Sequence, residues 1–166
     1  MLFEAGFRNR EHFAEYESGN FLLHLKDENH AESIIQELAA DWENRICFFV
    51  GIFERQTDHW VGQVYVGPTN WELPEFAIGY VADVNHEGQG YISEAVTGVL
   101  KILFEDGGAQ RIKSDCHENN TRSWRLLERC GFTREGHLRE NKKNPDGSFH
   151  GDFLYGILKS EFDPFS

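Results

Sequence analysis

The fold is decided by the stretch Phe76-Ala77-Ile78-Gly79-Tyr80-Val81-Ala82-Asp83 and by the segment that soon follows it, Glu87-Gly88-Gln89-Gly90-Tyr91-Ile92. The first stretch has a strand pattern, and from Tyr91 onward the pattern is helical with one apolar face. A strand, a glycine turn and a helix start, in that order, form an anion site. The first helical N–H groups have no partner within the helix, and the helix dipole is positive there. The sequence therefore predicts that a phosphate binds at this turn.

The glycine pair is weak evidence on its own. Ser93 stands where a dinucleotide fingerprint has its third glycine, and no Gly-Lys-Ser/Thr follows, so two common nucleotide loops are excluded. A bare Gly-x-Gly is more often a turn with a helix cap than a ligand site. The interpretation depends on the elements that surround the glycines.

Working outward, the sequence predicts one α/β domain over residues 1–166. Residues 1–7 offer at most a short strand, and residues 46–53 read as a central strand covered on both faces. A helix with one buried stripe is predicted at 33–42, and a strand at 60–66 is expected to pair with the strand at 46–53 as a hairpin. The helix that starts at Tyr91 should stop at Gly107-Gly108. The remaining predicted elements are a strand at 111–116, a helix at 120–130 and a long final hairpin, in which the turn Asn144-Pro145-Asp146-Gly147 joins a polar strand to the run 149–158.

The composition narrows the class of protein. The chain has 166 residues, 40% of them hydrophobic, which suffices for a core, and its three cysteines read as reduced thiols. We expect a cytoplasmic protein with no membrane partner, because no apolar run is long enough to span a bilayer. The net charge of -12 argues against a nucleic-acid partner. It favours a cationic substrate, or serves solubility alone. The histidines lack metal-ligand spacing, so no metal is expected.

The quoted stretch resembles the acetyl-CoA motif of the GNAT superfamily. Residues 120–132, Asn-Thr-Arg-Ser-Trp-Arg-Leu-Leu-Glu-Arg-Cys-Gly-Phe, and 135–140, Glu-Gly-His-Leu-Arg-Glu, are similar to the RimJ/RimL-like branch, which acetylates N-termini of ribosomal proteins. The resemblance covers most of residues 34–162. It implies a mixed, mostly antiparallel sheet that is splayed at the family's fourth strand, with helices on both faces and a C-terminal β-hairpin. The family's first strand would be shortened or absent.

The resemblance also implies a cofactor site for acetyl-CoA, the acetyl donor. In the family, strand backbone binds the pantetheine arm, the glycine turn binds the pyrophosphate, and an Asn-x-x-Ser pair contacts the far end of pantetheine and the sulfur region. The matching residues are Val81, Ala82, Asp83, Gly88, Gln89, Gly90, Tyr91, Ile92, Ser93, Asn120 and Ser123. Asn120 also reads as a helix cap. Glu87 departs from the family's Gln or Arg, and we expect its side chain to point to solvent.

The chemistry requires a neutral amine and a proton for the departing thiolate. Leu127 stands where many relatives have a tyrosine acid, so Ser123 is the first choice for protonating the sulfur. Glu75 and Glu140 are the candidate bases, although a solvated surface role is common for any glutamate. Tyr155 resembles a residue of the acceptor cleft and is equally consistent with the core.

These observations predict an N-acetyltransferase that acts by direct attack in a ternary complex, with a preference for the α-amine of a protein or peptide. One alternative acceptor is a small cationic amine such as a polyamine or aminoglycoside. Another alternative is an acyl-CoA-binding module with impaired catalysis. The chain is expected to act as a monomer or homodimer.

Overall fold

The computed structural model describes residues 2–16, 19–144 and 146–163. The α-helices are α1 (Leu2–Tyr16), α2 (Glu28–Glu43), α3 (Tyr91–Glu105) and α4 (Thr121–Arg129). The strands are β1 (Phe48–Phe53), β2 (Trp60–Asn70), β3 (Glu75–Ala82), β4 (Arg111–His117), β5 (Thr133–Lys143) and β6 (Phe149–Leu158). Short 3-10 helices cover Phe21–His24 and Val84–His86. Among the described helices, none is both long and apolar enough to cross a bilayer.

The six strands form a mixed sheet in the order β1-β2-β3-β4-β6-β5. The pairs β1–β2, β4–β6 and β6–β5 are antiparallel, whereas β3 and β4 are parallel and are connected through α3. The parallel ladder is short, running from Glu75 opposite Arg111 to Ala77 opposite Lys113. The predicted fold class, a mixed and mostly antiparallel sheet that ends in a hairpin, is confirmed.

Two compact units make up the chain. The first contains the described residues of 1–67 and 80–95, and therefore α1, α2, β1, most of β2, the end of β3 and the start of α3. The second contains the described residues of 68–79 and 96–166, and therefore the end of β2, the start of β3, the body of α3, β4, α4, β5 and β6.

Helix α1 of the first unit buries a stripe formed by Ala5, Asn9 and Phe13, which are spaced i, i+4, i+8. Its apolar members pack in a cluster with Leu22, Leu25, Ala31, Trp60 and Val81. The described residues 2–7, for which the sequence allows at most a short strand, are helical instead. The polar Asn9 in the middle of the stripe interrupts the apolar period, so the helix had no clear hydrophobic signal.

Helix α2 begins five residues before the predicted start at residue 33. The reason is the cap at Asp27, whose Oδ1 accepts a hydrogen bond from the His30 N–H at 2.8 Å. The predicted stripe is buried unevenly, because Ile34 is half-buried whereas Trp42 is 49% exposed. The Trp42 ring packs edge-on against Phe48, with 4.9 Å between centroids.

Strands β1 and β2 form the predicted antiparallel hairpin, in which Val50 lies opposite Val64. The prediction that β1 is a central strand covered on both faces is wrong, because β1 lies at an edge of the sheet. Its Phe53 side chain is 47% exposed. An apolar run of this length does not distinguish an edge strand with aromatic side chains from a central strand.

In the second unit, α3 presents Val96, Leu100 and Phe104 to the core, and each is at most 2% exposed. The helix ends as predicted at the glycines that follow it: Gly108 has a φ of 69°, and the Ala109 N–H donates to the Leu103 carbonyl at 2.9 Å. The final hairpin of β5 and β6 is also present. Its predicted turn includes Pro145, which lies outside the described residues, and the Gly147 N–H donates to the Asn144 carbonyl.

Candidate active site

The turn between β3 and α3 lies in the first unit and has the predicted order of strand, glycine turn and helix start. Gly88 and Gly90 adopt φ values of 71° and 91°, a backbone conformation that favours glycine. A Cβ added at either glycine would meet no heavy atom within 4 Å among the described residues. Helix α3 starts at Tyr91, so the N–H groups of residues 91–93 belong to the first turn, which has no intrahelical acceptors. This cradle of glycine backbone fits a diphosphate.

The predicted cofactor residues around this turn divide into exposed and buried groups. Gly88, Gln89 and Gly90 are exposed, whereas Ala82, Tyr91 and Ser93 are partly exposed. Val81 and Ile92 are buried. The Ile92 side chain faces the first unit's interior, because a Cβ added at Gly62 would lie 2.6 Å from its Cδ1 atom. Ile92 therefore leaves the backbone of the turn open.

The sequence predicts that Asp83 binds the cofactor through its backbone. In the structure its side chain is fully buried and anchors the turn. One carboxylate oxygen accepts hydrogen bonds from Arg8 Nε at 2.9 Å and from Asn9 Nδ2 at 2.8 Å. The other oxygen lies 2.6 Å from Nδ1 of His86. Burial alone would raise the pKa of Asp83, but these hydrogen bonds outweigh it and hold the pKa below its usual value. The carboxylate is therefore ionised at neutral pH.

Glu87 is paired, so the prediction that its side chain points to solvent is wrong. Its Oε1 atom lies 3.1 Å from Nε2 of His12, and the side chain is 24% exposed. His12 comes from α1, which the sequence did not reveal as a helix. The pairing attaches the Glu87 carboxylate to α1.

Tyr91, the first residue of α3, is tied to the hairpin turn after β1. Its hydroxyl donates to Glu54 Oε1 at 2.7 Å, and this hydrogen bond is the main reason that the pKa of Tyr91 is raised. Glu54 also accepts from the Thr57 hydroxyl, and that hydrogen bond is the largest cause of the lowered pKa of Glu54. The Tyr91 side chain thus fixes the start of α3, while the Tyr91 backbone belongs to the glycine turn.

Asn120 and Ser123 lie in the second unit, at the start of α4. Asn120 caps the helix, because its Oδ1 accepts from the Ser123 N–H at 3.1 Å. The Ser123 hydroxyl is hydrogen-bonded to the Cys116 thiol. Burial raises the pKa of Cys116 to about 11, so its thiol stays protonated at neutral pH. The candidate acid is therefore oriented by a neutral neighbour.

Glu75, a candidate base, is occupied by neighbours in its own unit. Its carboxylate accepts from Lys113 Nζ at 2.8 Å, from Arg111 Nε at 3.1 Å and from the Thr69 hydroxyl at 2.7 Å. The hydrogen bond from Lys113 is the largest cause of a lowered pKa. A carboxylate held in this way is a poor proton acceptor.

Glu140, the second candidate base, lies at an irregularity of β5. The pairing of β5 with β6 shifts register between Leu138 and Lys142, and Glu140 has a φ of 51°. The carboxylate is exposed, and residues 137–141 line an open depression of about 660 Å³. Positive φ at a non-glycine residue is costly and tends to occur at functional positions. Glu140 is therefore the more accessible of the two glutamates.

Tyr155 is a core residue that is 1% exposed. Its hydroxyl accepts from Arg134 Nε at 2.8 Å and donates to Glu128 Oε1 at 3.1 Å. Burial is the largest cause of its raised pKa. This environment favours the core role over a catalytic one.

Within the described ranges, no cluster of three or more His, Cys, Asp or Glu side chains is arranged to hold a metal ion.

Sequence relatives are similar to this chain over much of its length. A Bacillus licheniformis protein, uncharacterized N-acetyltransferase p20, is 31% identical over 130 residues, which cover 78% of this chain and 70% of that protein. Uncharacterized N-acetyltransferase YnaD of Bacillus subtilis is 31% identical over 106 residues, which cover 63% of this chain and 58% of YnaD. The ribosomal-protein-serine acetyltransferase of Escherichia coli is 35% identical over 63 residues, or 38% of this chain and 35% of that protein.

The fold also matches solved structures. The ribosomal-protein-S5-alanine acetyltransferase from Vibrio fischeri superposes with a TM-score of 0.82 at 19% identity, covering 98% of this chain and 88% of that one. This likeness concerns the fold. In sequence, residues 1–133 match the family described as "Acetyltransferase (GNAT) domain". Since this match spans most of the chain, the protein belongs to the GNAT family of acetyltransferases.

Proposed function

We propose that this chain transfers the acetyl group of acetyl-CoA to a primary amine by direct attack, and that the acceptor is the α-amine of a protein or peptide. The observation that carries the proposal is the turn before α3, where Gly88 and Gly90 expose the backbone at a helix start. Membership in the GNAT family supplies the acetyl donor. The names of relatives that acetylate ribosomal proteins support the choice of acceptor.

The proposed cofactor contacts follow from where the residues lie. In the first unit, the backbone of Val81–Asp83 would bind the pantetheine arm, and the N–H groups of Gly88–Ser93 would bind the diphosphate. In the second unit, we assign Asn120 to the pantetheine arm and Ser123 to the sulfur. The hydroxyl of Ser123 would donate a hydrogen bond to the thiolate as the carbon–sulfur bond breaks.

The amine itself explains why a strong base is not required. An α-amine with a pKa near 8 is about one-tenth neutral at pH 7, whereas a lysine side chain is neutral in only about one molecule in 2,500. The lowered pKa of Glu75 makes it a weak base, and an α-amine does not require a strong one. Glu140 is the residue that we assign as proton acceptor, because it is exposed. The net charge of -12 would attract any cationic acceptor, including a small one.

The test is an assay of thiol release with acetyl-CoA and matched acceptors. We expect turnover of peptides with a free N-terminal serine or alanine. We expect none with the same peptides blocked at the α-amine and carrying a free lysine. Preferential turnover of spermidine would select the small-amine alternative. Calorimetric binding of CoA without turnover of any acceptor would select the impaired binding module, and absence of CoA binding would refute all three hypotheses.

A further inference from the structure

The turn that we assign to the diphosphate is attached to α1 at three points. Arg8 and Asn9 donate to the Asp83 carboxylate, as described above. One helical turn later, His12 contacts Glu87. Residues 8, 9 and 12 lie on one side of α1, because positions four apart are neighbours on a helix. A single helix face therefore contacts both ends of the segment 83–87.

Asn9 is the centre of this attachment and is fully buried. Its Oδ1 accepts from the Val84 N–H at 2.7 Å, and its Nδ2 donates both to Asp83 and to the Ala5 carbonyl, the latter at 2.9 Å. One amide group thus fixes the side chain of one turn residue and the backbone of the next. Its own orientation is fixed by the backbone of α1.

The loop needs such an anchor. Gly88 and Gly90 give the segment unusual conformational freedom, and ordering that backbone on binding would cost entropy. Backbone donors bind a diphosphate well only when their directions are set beforehand. We propose that Arg8 and Asn9 are positioning residues for the diphosphate of acetyl-CoA, acting through Asp83 and the Val84 backbone. This proposal rests on the proposed function, which assigns the turn to that group.

A purely stabilising role makes a different prediction. Ala5 and Phe13 hold α1 against the core of the first unit, so loss of Asn9 could lower stability without altering the turn. The two roles are distinguished by comparing the activity of the variant with two acetyl donors, acetyl-CoA and S-acetylpantetheine. S-acetylpantetheine has the same thioester arm as acetyl-CoA but lacks the diphosphate and the nucleoside. A positioning defect at the diphosphate weakens the use of acetyl-CoA much more than that of S-acetylpantetheine, whereas partial unfolding affects both acetyl donors equally.

The experiment uses Asn9→Leu, which keeps the number and branching of the side-chain heavy atoms and removes the hydrogen bonds. At a temperature well below the melting point, we expect the KM for acetyl-CoA and the calorimetric Kd for CoA to rise about tenfold. We expect kcat/KM for S-acetylpantetheine to change less than about twofold. The matched control is Asn20→Ala. Asn20 Oδ1 accepts from the Leu22 N–H at 3.0 Å beside the same core, so this variant should lose stability and retain its CoA affinity.

A second pair of variants applies if Asn9→Leu does not fold. Arg8→Met removes a donor to Asp83, and Arg8→Lys retains a cation there; Arg8 is 41% exposed, so both should be tolerated. We expect Arg8→Met to weaken CoA binding and Arg8→Lys to restore most of it. Equal losses with both donors, or unchanged CoA affinity in Asn9→Leu and Arg8→Met, would overturn the proposal. Failure of the wild type to turn over any acceptor would instead count against the proposed function.

Discussion

Helices α3 and α4 both follow a strand and a short turn, but their first turns are built differently. At α4, the Asn120 side chain accepts from the Ser123 N–H, so one free donor of the helix start is used within the protein. At α3, the preceding residue is Gly90, which has no side chain to offer. The first turn of α4 is therefore capped by the residue before it, whereas the start of α3, where we propose that the diphosphate binds, receives no such cap from Gly90.

The turns before the two helices differ in the same sense. Asp83 is fully buried and has three side-chain partners in the first unit. Before α4, Glu118 is only partly buried, and its carboxylate accepts from the Gly151 N–H at 2.8 Å and lies 2.6 Å from His137 Nε2. The glycine turn therefore has the deeper anchor, which is consistent with a backbone that must stay fixed when it binds an anion.

The largest expected effect is at the α3 start. Gly90→Val forces a branched side chain into a φ of 91° and displaces the amides of the turn, so we expect CoA affinity to fall about 100-fold. Titration calorimetry with CoA measures this directly, and thermal unfolding checks that the variant is folded. Unchanged affinity in a folded variant would show that the α3 start is not the anion site.

A smaller effect is expected at the anchor of that turn. Asp83→Asn should lower the free energy of unfolding by about 2 kcal/mol at neutral pH, because a buried charged acceptor is lost. The folded pKa of Asp83 is lowered, so its contribution is present above the usual value of about 4 and disappears as the pH falls through the folded value. Urea unfolding at several pH values should show the gap between wild type and variant closing on acidification. Glu118→Gln in the turn before α4 is the control. An equal loss of unfolding free energy in that variant would show that the two turns are anchored equally strongly.

At the α4 start, we expect Asn120→Ala to cost about 1 kcal/mol, because it removes the cap. Asn120→Asp keeps an accepting oxygen and should restore stability to within a few tenths of a kcal/mol. Thermal unfolding measures the stability, and the KM for acetyl-CoA separates two roles. If Asp restores both quantities, Asn120 is a cap alone. If stability returns but the KM does not, its Nδ2 group also serves the cofactor.

The smallest effect is expected at a glycine inside α3. Gly98 is exposed, and an added Cβ would meet no atom within 4 Å among the described residues. Gly98→Ala should therefore raise the free energy of unfolding by about 0.5–1 kcal/mol. The kcat and the KM for acetyl-CoA should be unchanged, which makes it the matched control for Gly90→Val. A comparable loss of CoA affinity in Gly98→Ala would mean that the helix as a whole, not its start, determines binding.

The strand, turn and start of α3 could be predicted from sequence because hydrophobic period and glycine position are local signals. The anchor of the turn could not be predicted, because Arg8 and Asp83 are 75 residues apart in sequence. In addition, the polar Asn9 lies on the buried face of α1 and interrupts the apolar period that would have indicated a helix. The ion pairs that make Glu75 a poor base could not be predicted for a similar reason. Its partners Arg111 and Lys113 lie on β4, and only the register of the parallel ladder brings them to it.

The bond between Arg8 and Asp83 also bears on how the protein folds. Closing a loop of 75 residues costs about 4 kcal/mol of chain entropy, and neither partner gains anything until the loop is closed. During synthesis, α1 must wait for Val81 and Asp83 to leave the ribosome before its buried face finds its neighbours. We therefore expect the turn to become ordered only after the chain has been synthesised through Asp83.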